Sequence, residues 1–332
     1  MNIAIIGAGF SGMAIAWHLL KYDNVNITLF DPAGIGGGAS GISAGLLHPY
    51  AGLHSKLNWK GREGYTAATA LLESSAKVMQ QPVYSKTGLI RIAMTEANEK
   101  DYALCAHQYS DVDWLDPDAF QMLVPQAVPN PAILIKSALV VDNSIYLEGL
   151  WKFCSKKGSK IEQRQIFSLE ELKHFDVLVV ANGAAACRIK ELSNLPITPV
   201  KGQILELAWP KHLAPLSIPI NSQAYIIMSP DKQTCLVGAT YERNFKTAEP
   251  DEAYAIHELL PKAIAMIPDL KNAKVLRCRS AFRASTPDHK PYFKQFNSRC
   301  WILSGMGSKG LLYHSLFAEQ LSREIAIIYS SE

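Results

Sequence analysis

Three glycines near the start of the chain have the spacing of a phosphate-binding turn. Gly7, Gly9 and Gly12 form a G-x-G-x-x-G pattern that follows an apolar stretch at 2–6 and precedes an alanine-rich helical stretch. Glycines so placed allow a tight turn, close approach of the backbone to a pyrophosphate, and close packing of strand on helix. The helix N-terminus offers N–H groups to phosphates, so the sequence predicts a dinucleotide site. The turn residues expected to contact the dinucleotide are Gly7, Ala8, Gly9, Phe10, Ser11 and Gly12.

An acidic residue stands where such a turn needs one for a ribose. The stretch 26–30 is typical of a second strand and ends in Asp31, 19 residues after Gly12. A carboxylate here binds ribose hydroxyl groups and disfavours a 2′-phosphate, so we do not expect NADP. The alternative is a glycine-rich turn that binds nothing, and the strand, spacing and acid together argue against it.

The composition is that of a soluble globular protein with two lobes. The chain has 332 residues, of which 48% are hydrophobic and 19% are charged, which is enough for two substantial cores. No apolar run approaches the about 18 residues of a membrane helix. The first predicted strand begins at residue 2, which leaves no room for a signal peptide. We therefore expect a cytoplasmic protein without a membrane partner.

The cysteines and the net charge exclude some classes of site and leave others open. The six cysteines are scattered, without a C-x-x-C pair or a His/Cys cluster at metal spacing. We therefore expect buried free thiols, no disulfide framework and no metal site. The net charge of +3 neither indicates nor excludes a nucleic-acid partner, because a local basic patch is enough to hold phosphates.

The remaining elements predict an α/β fold in which two domains are interleaved. Residues 34–45 are too rich in glycine for a regular element; we expect them to lie against a planar ring rather than to form a flexible surface loop. We expect a helix over 56–80, short helices and loops over 101–131, a buried strand at 176–181 that ends in Asn182-Gly183, and β-structure over 199–240. The predicted domains are a Rossmann-like nucleotide-binding domain at 1–80, 139–198 and 276–332, and a smaller antiparallel-sheet, α+β substrate domain at 81–138 and 199–275.

Five blocks spread over the whole chain occur in the order found in one enzyme family. They are Gly7–Gly12 with Asp31, Ala39–Leu47, Val179–Ala184, Phe282–Pro291, and Gly305–Gly310 with the following helix. Together they resemble the FAD-dependent amine oxidoreductases that include D-amino acid oxidase, glycine oxidase and sarcosine oxidase. The resemblance implies FAD as cofactor of the Rossmann-like domain. The later residues placed at FAD are Ala39, Ser40, Gly45, Leu46, Gly183, Gly305, Gly307, Ser308, Lys309 and Gly310.

Two of these blocks resemble one branch of the family more closely. Gly305–Leu311 and Ala39–Gly41 are similar to the oxidase half of the bifunctional enzyme that matures 5-methylaminomethyl-2-thiouridine at the tRNA wobble position. That half oxidatively removes the carboxymethyl group from a 5-carboxymethylaminomethyl uridine. This resemblance implies the tRNA anticodon loop as substrate, and a separate methyltransferase for the product because the methyltransferase half has no counterpart here. Ile42 and Ala44 stand where that enzyme carries amide side chains, which leaves a small-molecule glycine, sarcosine or D-amino acid oxidase as the alternative.

The resemblance also implies roles for four side chains. Arg283 matches the position that holds a substrate carboxylate in glycine oxidase-like members, and a guanidinium suits that task; a surface arginine beside Asp288 is the alternative. Tyr225 and Lys309 would add a phenol and an ammonium group, with Lys309 also beside the negative charge of reduced flavin. Tyr225 could equally be a core aromatic. His48 is placed facing the ring, with a structural histidine as the alternative.

Basic residues outside these blocks could hold the phosphates of an RNA substrate. Scattered solvated charges are the alternative interpretation. The residues expected to form this rim are Lys56, Lys60, Arg62, Arg243 and Lys246.

We predict that FAD is bound without a covalent bond. Ala281 falls where sarcosine oxidase-type members carry the cysteine that links the flavin. Acid precipitation of the purified yellow protein should therefore release FAD intact into the supernatant. Absorbance and mass spectrometry of both fractions measure this, and flavin retained on the precipitated chain would contradict the prediction.

Overall fold

A computed structural model describes residues 1–52 and 54–329 of the protein. Within them, two large β-sheets and one small sheet combine with helices on their faces, which confirms the α/β fold predicted from the sequence. The helices are α1 (Phe10–Leu19), α2 (Ala39–Ile42), α3 (Gly61–Met79), α4 (Glu96–Gln108), α5 (Pro117–Leu123), α6 (Asn143–Lys156), α7 (Glu252–Met266) and α8 (Gly310–Tyr329).

The first sheet carries the strands on either side of the glycine turn. Five of its strands are parallel and one edge strand is antiparallel. Its central strands are continuous buried apolar runs, as expected for parallel strands covered on both faces. In spatial order the strands are β16 (Tyr292–Asn297), β17 (Cys300–Ser304), β10 (Val177–Val180), β1 (Asn2–Ile6), β2 (Asn26–Phe30) and β9 (Lys160–Glu162).

Helices cover this sheet because their apolar residues recur at helical spacing. α1 is buried almost all round and packs against α6 and α8. The buried face of α3 repeats every three or four residues through Gly64, Ala68, Leu71 and Ser75, and it also packs against α6 and α8. The glycine turn is therefore held between a rigid sheet and a closely packed helical layer.

The second sheet is mostly antiparallel and has α7 packed on β11 and β14. Its strands in spatial order are β15 (Val275–Ser285), β11 (Thr198–Ala208), β14 (Thr234–Gly238), β13 (Tyr225–Met228), β12 (Ile220–Asn221), β5 (Leu89–Ile92), β7 (Ala132–Ile135) and β6 (Val112–Leu115). A small third sheet consists of β3 (Leu46–Leu47), β8 (Leu139–Val141) and β4 (Tyr84–Ser85).

The domain boundaries stay a prediction, and one strand lies across them. β15 falls almost wholly within 276–332, the range assigned to the nucleotide-binding domain, yet it pairs with β11 in the second sheet. The chain therefore passes from the second sheet to the first between β15 and β16.

Two local expectations were wrong, and one strand was missed. Ala39–Ile42 forms a helical turn inside the stretch expected to be irregular, where Ser40 Oγ accepts the N–H of Phe10 at 3.0 Å. Over 101–131 we expected only short helices and loops, but α4 has 13 residues, with Thr95 accepting the N–H of Asn98 as its cap, and β6 is a strand. β16 was not predicted, because half of its residues are polar and its last four are exposed, as is common at a sheet edge.

Two further properties bear on the class of protein. All six cysteines are free thiols. None of the helices described in residues 1–52 and 54–329 has the length and apolar character needed to span a bilayer.

We predict that Gly12→Ala destabilises the protein. A Cβ at Gly12 would overlap with the carbonyl oxygen of Gly7, and because that atom belongs to the backbone it cannot rotate away. We expect the free energy of unfolding of the apoprotein to fall by about 1–3 kcal/mol, as for other overpacked sites. Denaturant titration measures it. The matched control is Gly38→Ala, whose added Cβ has no atom within 4 Å; equal stability of both variants would refute the packing role of Gly12.

Candidate active site

A cleft of about 620 Å³ lies along the glycine turn, at the carboxyl ends of the parallel strands. Ligands bind at this edge of such sheets because strand ends and helix N-termini meet there. The predicted cofactor residues that line it are Gly7, Gly9, Phe10, Ser11, Asp31, Ala39, Ser40, Gly183, Gly305, Gly307 and Gly310. Ala8 and Gly12 do not line it: the first is fully buried behind the turn, and the second packs on it.

Backbone atoms leave no room for a side chain at Gly7 and Gly12. Gly7 has φ of +108°, and a Cβ there would lie 2.6 Å from the carbonyl oxygen of Ala181. A Cβ on Gly9 would lie 2.7 Å from Ser40 Oγ, which could rotate away. The glycines keep side chains away from the N-terminus of α1, where phosphates are favoured, and Ser40 Oγ accepts one of its N–H groups, that of Phe10.

Two polar side chains in the cleft fit a nucleotide ligand. Asp31 Oδ2 accepts the N–H of Ala8 at 2.9 Å and Oδ1 accepts the N–H of Ala33 at 3.0 Å, so the carboxylate fixes the turn and keeps lone pairs for ribose hydroxyl groups. Asn182 Oδ1 is buried without a hydrogen-bond partner in the described part of the chain. A buried acceptor of this kind needs a donor, which a ligand can supply.

A second cavity of about 330 Å³ adjoins the cleft and contains all four predicted catalytic residues. Phe10, Ser40, Arg283 and Gly307 line both spaces, so the two form one continuous site. The predicted residues that line this second cavity are Phe10, Ala39, Ser40, Gly45, Leu46, His48, Tyr225, Arg283, Gly307, Ser308, Lys309 and Gly310.

The guanidinium of Arg283 lies flat across the second sheet. A Cβ on Gly202, in the neighbouring strand β11, would be 2.6 Å from Nη2, so the absence of that side chain makes room for the arginine. Nη1 donates to the carbonyl oxygen of Thr240 at 3.0 Å. Arg283 forms no ion pair with a described residue, and its burial lowers the pKa of the guanidinium. It lies in the cavity and not on the surface beside Asp288.

A second strand glycine, next to Gly202, makes room for Tyr225. Its phenol lies where a side chain on Gly238 would stand. Burial raises the pKa of the Tyr225 hydroxyl, and Arg283 acts in the opposite direction because it lies nearby. The hydroxyl has no hydrogen-bond partner among the residues described, so it presents a donor to the cavity beside the guanidinium. A carboxylate could bind both groups.

Lys309 and His48, the other two predicted catalytic residues, also line this cavity. Lys309 Nζ donates to the carbonyl oxygen of His289 at 3.3 Å, and partial burial lowers the pKa of its ammonium group. Burial, aided by the nearby Arg91 charge, lowers the pKa of His48 to about 3. His48 is therefore neutral near pH 7, and Nδ1 has no partner in the part of the chain described.

Sequence reasoning missed three residues that line this cavity, Gly202, Asn221 and Arg91, and a fourth, Gly238, that packs behind Tyr225. Gly202 and Gly238 are strand glycines, and a glycine inside a strand is a known signal for close approach of another group. Asn221 is adjacent to Arg91 in the sheet register, and both line the cavity. Arg91 is only 4% exposed; Nη1 donates to the carbonyl of Gly52 and to Ser55 Oγ, both at 2.6 Å. No local pattern marks these last two.

The charge of the cavity is one-sided. Arg91, Arg283 and Lys309 line it, and among the described residues that line it there is no Asp or Glu. The site therefore favours an anionic ligand group.

Of the five basic residues predicted to bind RNA phosphates, some contact other side chains of the protein and some are exposed. Arg62 is engaged, because Nη2 donates to the Tyr50 hydroxyl at 2.8 Å and lies 3.3 Å from Asp111 Oδ1. The Arg243 guanidinium lies 5.7 Å from the ring centre of the exposed Tyr241. Lys56 and Lys246 are exposed, and Lys60 lies against Trp59.

Comparison with known proteins identifies the class to which this site belongs. Residues 2–324 match the model of the FAD dependent oxidoreductase family. The chain belongs to this family. FAD is thus the cofactor, and the glycine turn, Asp31 and the unpartnered Asn182 oxygen are the features that fit it. This protein is therefore an FAD-dependent oxidoreductase.

Individual relatives differ in the function that their names state. The tRNA 5-methylaminomethyl-2-thiouridine biosynthesis bifunctional protein MnmC of Maricaulis maris (strain MCS10) is 26% identical over 97% of this chain and 52% of its own length. The chain thus spans about half of that relative. Glycine oxidase of Bacillus subtilis (strain 168) is 26% identical over 93% of this chain and 88% of its own length. The crystal structure of glycine oxidase from Geobacillus kaustophilus has a TM-score of 0.83 at 22% identity, over 99% of this chain and 95% of that one, and shows the same fold.

Proposed function

We propose that this protein oxidises a secondary amine bearing a carboxymethyl group, and that the substrate is 5-carboxymethylaminomethyl uridine, or its 2-thio form, at the wobble position of tRNA. The observation that carries the proposal is the partly buried Arg283 guanidinium, which forms no ion pair with a described residue, although Glu242 acts on its charge from nearby, and which lies beside the free Tyr225 hydroxyl. A carboxylate that binds this pair is held by charge-assisted hydrogen bonds, each of about 1.5–3 kcal/mol.

The positive cavity also controls the protonation of the substrate nitrogen. Arg283, Lys309 and Arg91 disfavour an ammonium group nearby, and no described lining carboxylate would stabilise one. Binding therefore favours the neutral amine, whose lone pair is needed to form a C=N bond. Neutral His48 adds no further charge.

The reaction balances as an oxidation followed by hydrolysis. FAD, when bound, supplies the two-electron acceptor that takes the hydride from the carboxymethyl carbon. The nitrogen loses its proton, and the C–N single bond becomes a C=N bond. Water then adds to that bond, and its cleavage leaves a primary aminomethyl group on the uridine and releases glyoxylate. The part of this chain is to orient the carboxymethyl group through Arg283 and Tyr225.

Two observations support a substrate attached to RNA. The first relatives named above include the bifunctional tRNA enzyme, with which 97% of this chain aligns. A further cavity of about 200 Å³ leads from Arg283 past Lys309 to His289 and Tyr241, both of which are exposed. This passage would let a nucleotide reach the site while the rest of the anticodon loop stays outside. A separate methyltransferase would then act on the primary amine in the cytoplasm.

A small-molecule oxidase is the second candidate, because glycine oxidase of Bacillus subtilis aligns over 88% of its own length with this chain. In that case the substrate is glycine, sarcosine or a D-amino acid. The same Arg283 and Tyr225 pair would bind its carboxylate, so the pair alone does not separate the two candidates.

We predict that Arg283→Ala keeps FAD bound but slows flavin reduction by on the order of 100-fold, because the substrate loses both its charge partner and its alignment. Arg283→Lys should recover only part of the rate, since a point charge fixes a carboxylate less well than a planar fork. Anaerobic stopped-flow absorbance of flavin bleaching measures the step. The matched control is Arg277→Ala, an exposed arginine on the same strand. Parent rates in both Arg283 variants would show that the carboxylate binds elsewhere.

We predict that the holoenzyme prefers modified tRNA to free amino acids. The value of kcat/KM for tRNA containing 5-carboxymethylaminomethyl uridine should exceed that for glycine, sarcosine or D-alanine by on the order of 100-fold, because remote RNA contacts contribute about 3 kcal/mol. Flavin bleaching and mass spectrometry of the digested nucleosides report the reaction. Efficient oxidation of a free amino acid, with the tRNA nucleoside left intact, would establish the second candidate instead.

A further inference from the structure

An exposed tryptophan precedes α3 and is held in a fixed position. Trp59 is 47% exposed. Its backbone carbonyl accepts the hydroxyl of Tyr313 at 2.5 Å. Its ring is stacked on Phe317, with the ring centres 6.0 Å apart and the planes inclined by 20°. Because Phe317 packs against this indole, its orientation is fixed and it offers an ordered aromatic surface. Leaving so large an apolar ring exposed to water is costly.

Two lysines flank the same indole. Lys60 Nζ lies 5.3 Å from the ring centre, and Lys290 Nζ lies 5.2 Å from it. They come from distant parts of the chain, so the fold and not the local sequence brings them together. Neither lysine forms an ion pair within the described residues, although Asp288 lies close enough to Lys290 to interact with its charge. Both ammonium groups can therefore approach an external anion.

This cluster of Trp59, Lys60 and Lys290 adjoins the mouth of the active site. Lys290 directly follows His289, which lines the passage of about 200 Å³ and accepts a hydrogen bond from Lys309. The Tyr313 that anchors Trp59 directly follows a residue lining the substrate cavity, Leu312. A ligand extending out of the passage would meet the cluster.

We propose that the Trp59 cluster binds a nucleotide that neighbours the wobble uridine in the single-stranded anticodon loop. An unpaired base stacks on the indole, and Lys60 and Lys290 bind the adjoining phosphates. Proteins hold single-stranded RNA by this combination of an aromatic surface and cations. The inference rests on the tRNA substrate proposed above. Charge favours RNA over a protein partner, because lysine is depleted at protein interfaces.

The test uses the FAD-loaded full chain and two probes. One is an anticodon stem–loop RNA with 5-carboxymethylaminomethyl uridine at the wobble position, and the other is the same modified nucleoside alone. Trp59→Leu keeps apolar packing on Phe317 but removes the stacking surface, and Trp59→Phe restores an aromatic ring. The matched control is Trp114→Leu, because Trp114 is 37% exposed on β6, at the edge of the second sheet.

Trp59→Leu should weaken stem–loop binding by about 5- to 100-fold, the range for loss of one stacked base, and Trp59→Phe should recover most of it. The kcat/KM of Trp59→Leu relative to the parent should fall by a factor at least ten times larger on the stem–loop than on the nucleoside.

The double variant Lys60→Ala with Lys290→Ala should reduce the slope of log K against log salt by about 1.4, since each phosphate contact on a single strand contributes about 0.7. Trp114→Leu should match the parent on both probes. Fluorescence anisotropy and flavin bleaching provide the measurements.

Other results separate this inference from the proposed function. If the parent oxidises the stem–loop and the Trp59 variants bind it equally well, the cluster is not an RNA site and the tRNA function stands. Equal losses of Trp59→Leu on both probes would make Trp59 a structural support of the cavity. If the parent oxidises the nucleoside poorly and does not bind the stem–loop, both the function and the inference are wrong.

Discussion

The substrate half of the molecule depends on one partly buried guanidinium group, that of Arg283, which forms no ion pair with a described residue although Glu242 acts on its charge from nearby. Removing such a charge from water costs several kcal/mol, and the Thr240 carbonyl and the Tyr241 ring offset only part of this cost. The remaining cost is offset by the stability of the second sheet, whose strands are joined by hydrogen bonds. Because Gly202 and Gly238 lack side chains, Arg283 and Tyr225 lie along the sheet surface. The cation is therefore positioned before any anion arrives, which lowers the cost of binding one.

A backbone bridge helps to connect this cation to the nucleotide half. Ser285, at the end of β15, pairs with Met306 in the last glycine turn, and Lys309 follows three residues later. Arg283 and the N-terminus of α8 are thus fixed in one frame although they belong to different sheets. This connection explains how an interleaved chain can place its substrate contacts against its cofactor contacts without a separate hinge.

The parts of the fold predicted correctly from sequence are those encoded locally. The strand, glycine turn and helix around Gly7 and Gly12 and the buried strand β10 each follow from spacing or apolar runs of adjacent residues. The role of Asp31 at a ribose stays a prediction. The features that sequence reasoning missed depend on which strands pair and on the register of that pairing. That Gly202 makes room for Arg283 follows only once β11 is known to pair with β15, and Arg91 joins the site through β12 from a segment far away in sequence. Resemblance to a family supplied Arg283 and Tyr225, and spacing alone could not have done so.

The register of the second sheet has one more consequence. Arg91 and Arg283 line one cavity from β5 and β15, which are five strand positions apart in the sheet. At about 4.8 Å per position, the path along the sheet from one to the other is about 24 Å. Hydrogen bonds to neighbouring strands fix the order of the strands, so neither arginine can move to another position in the sheet. Substitution of side chains along these strands is therefore the most direct way to change the length of substrate that the cavity admits.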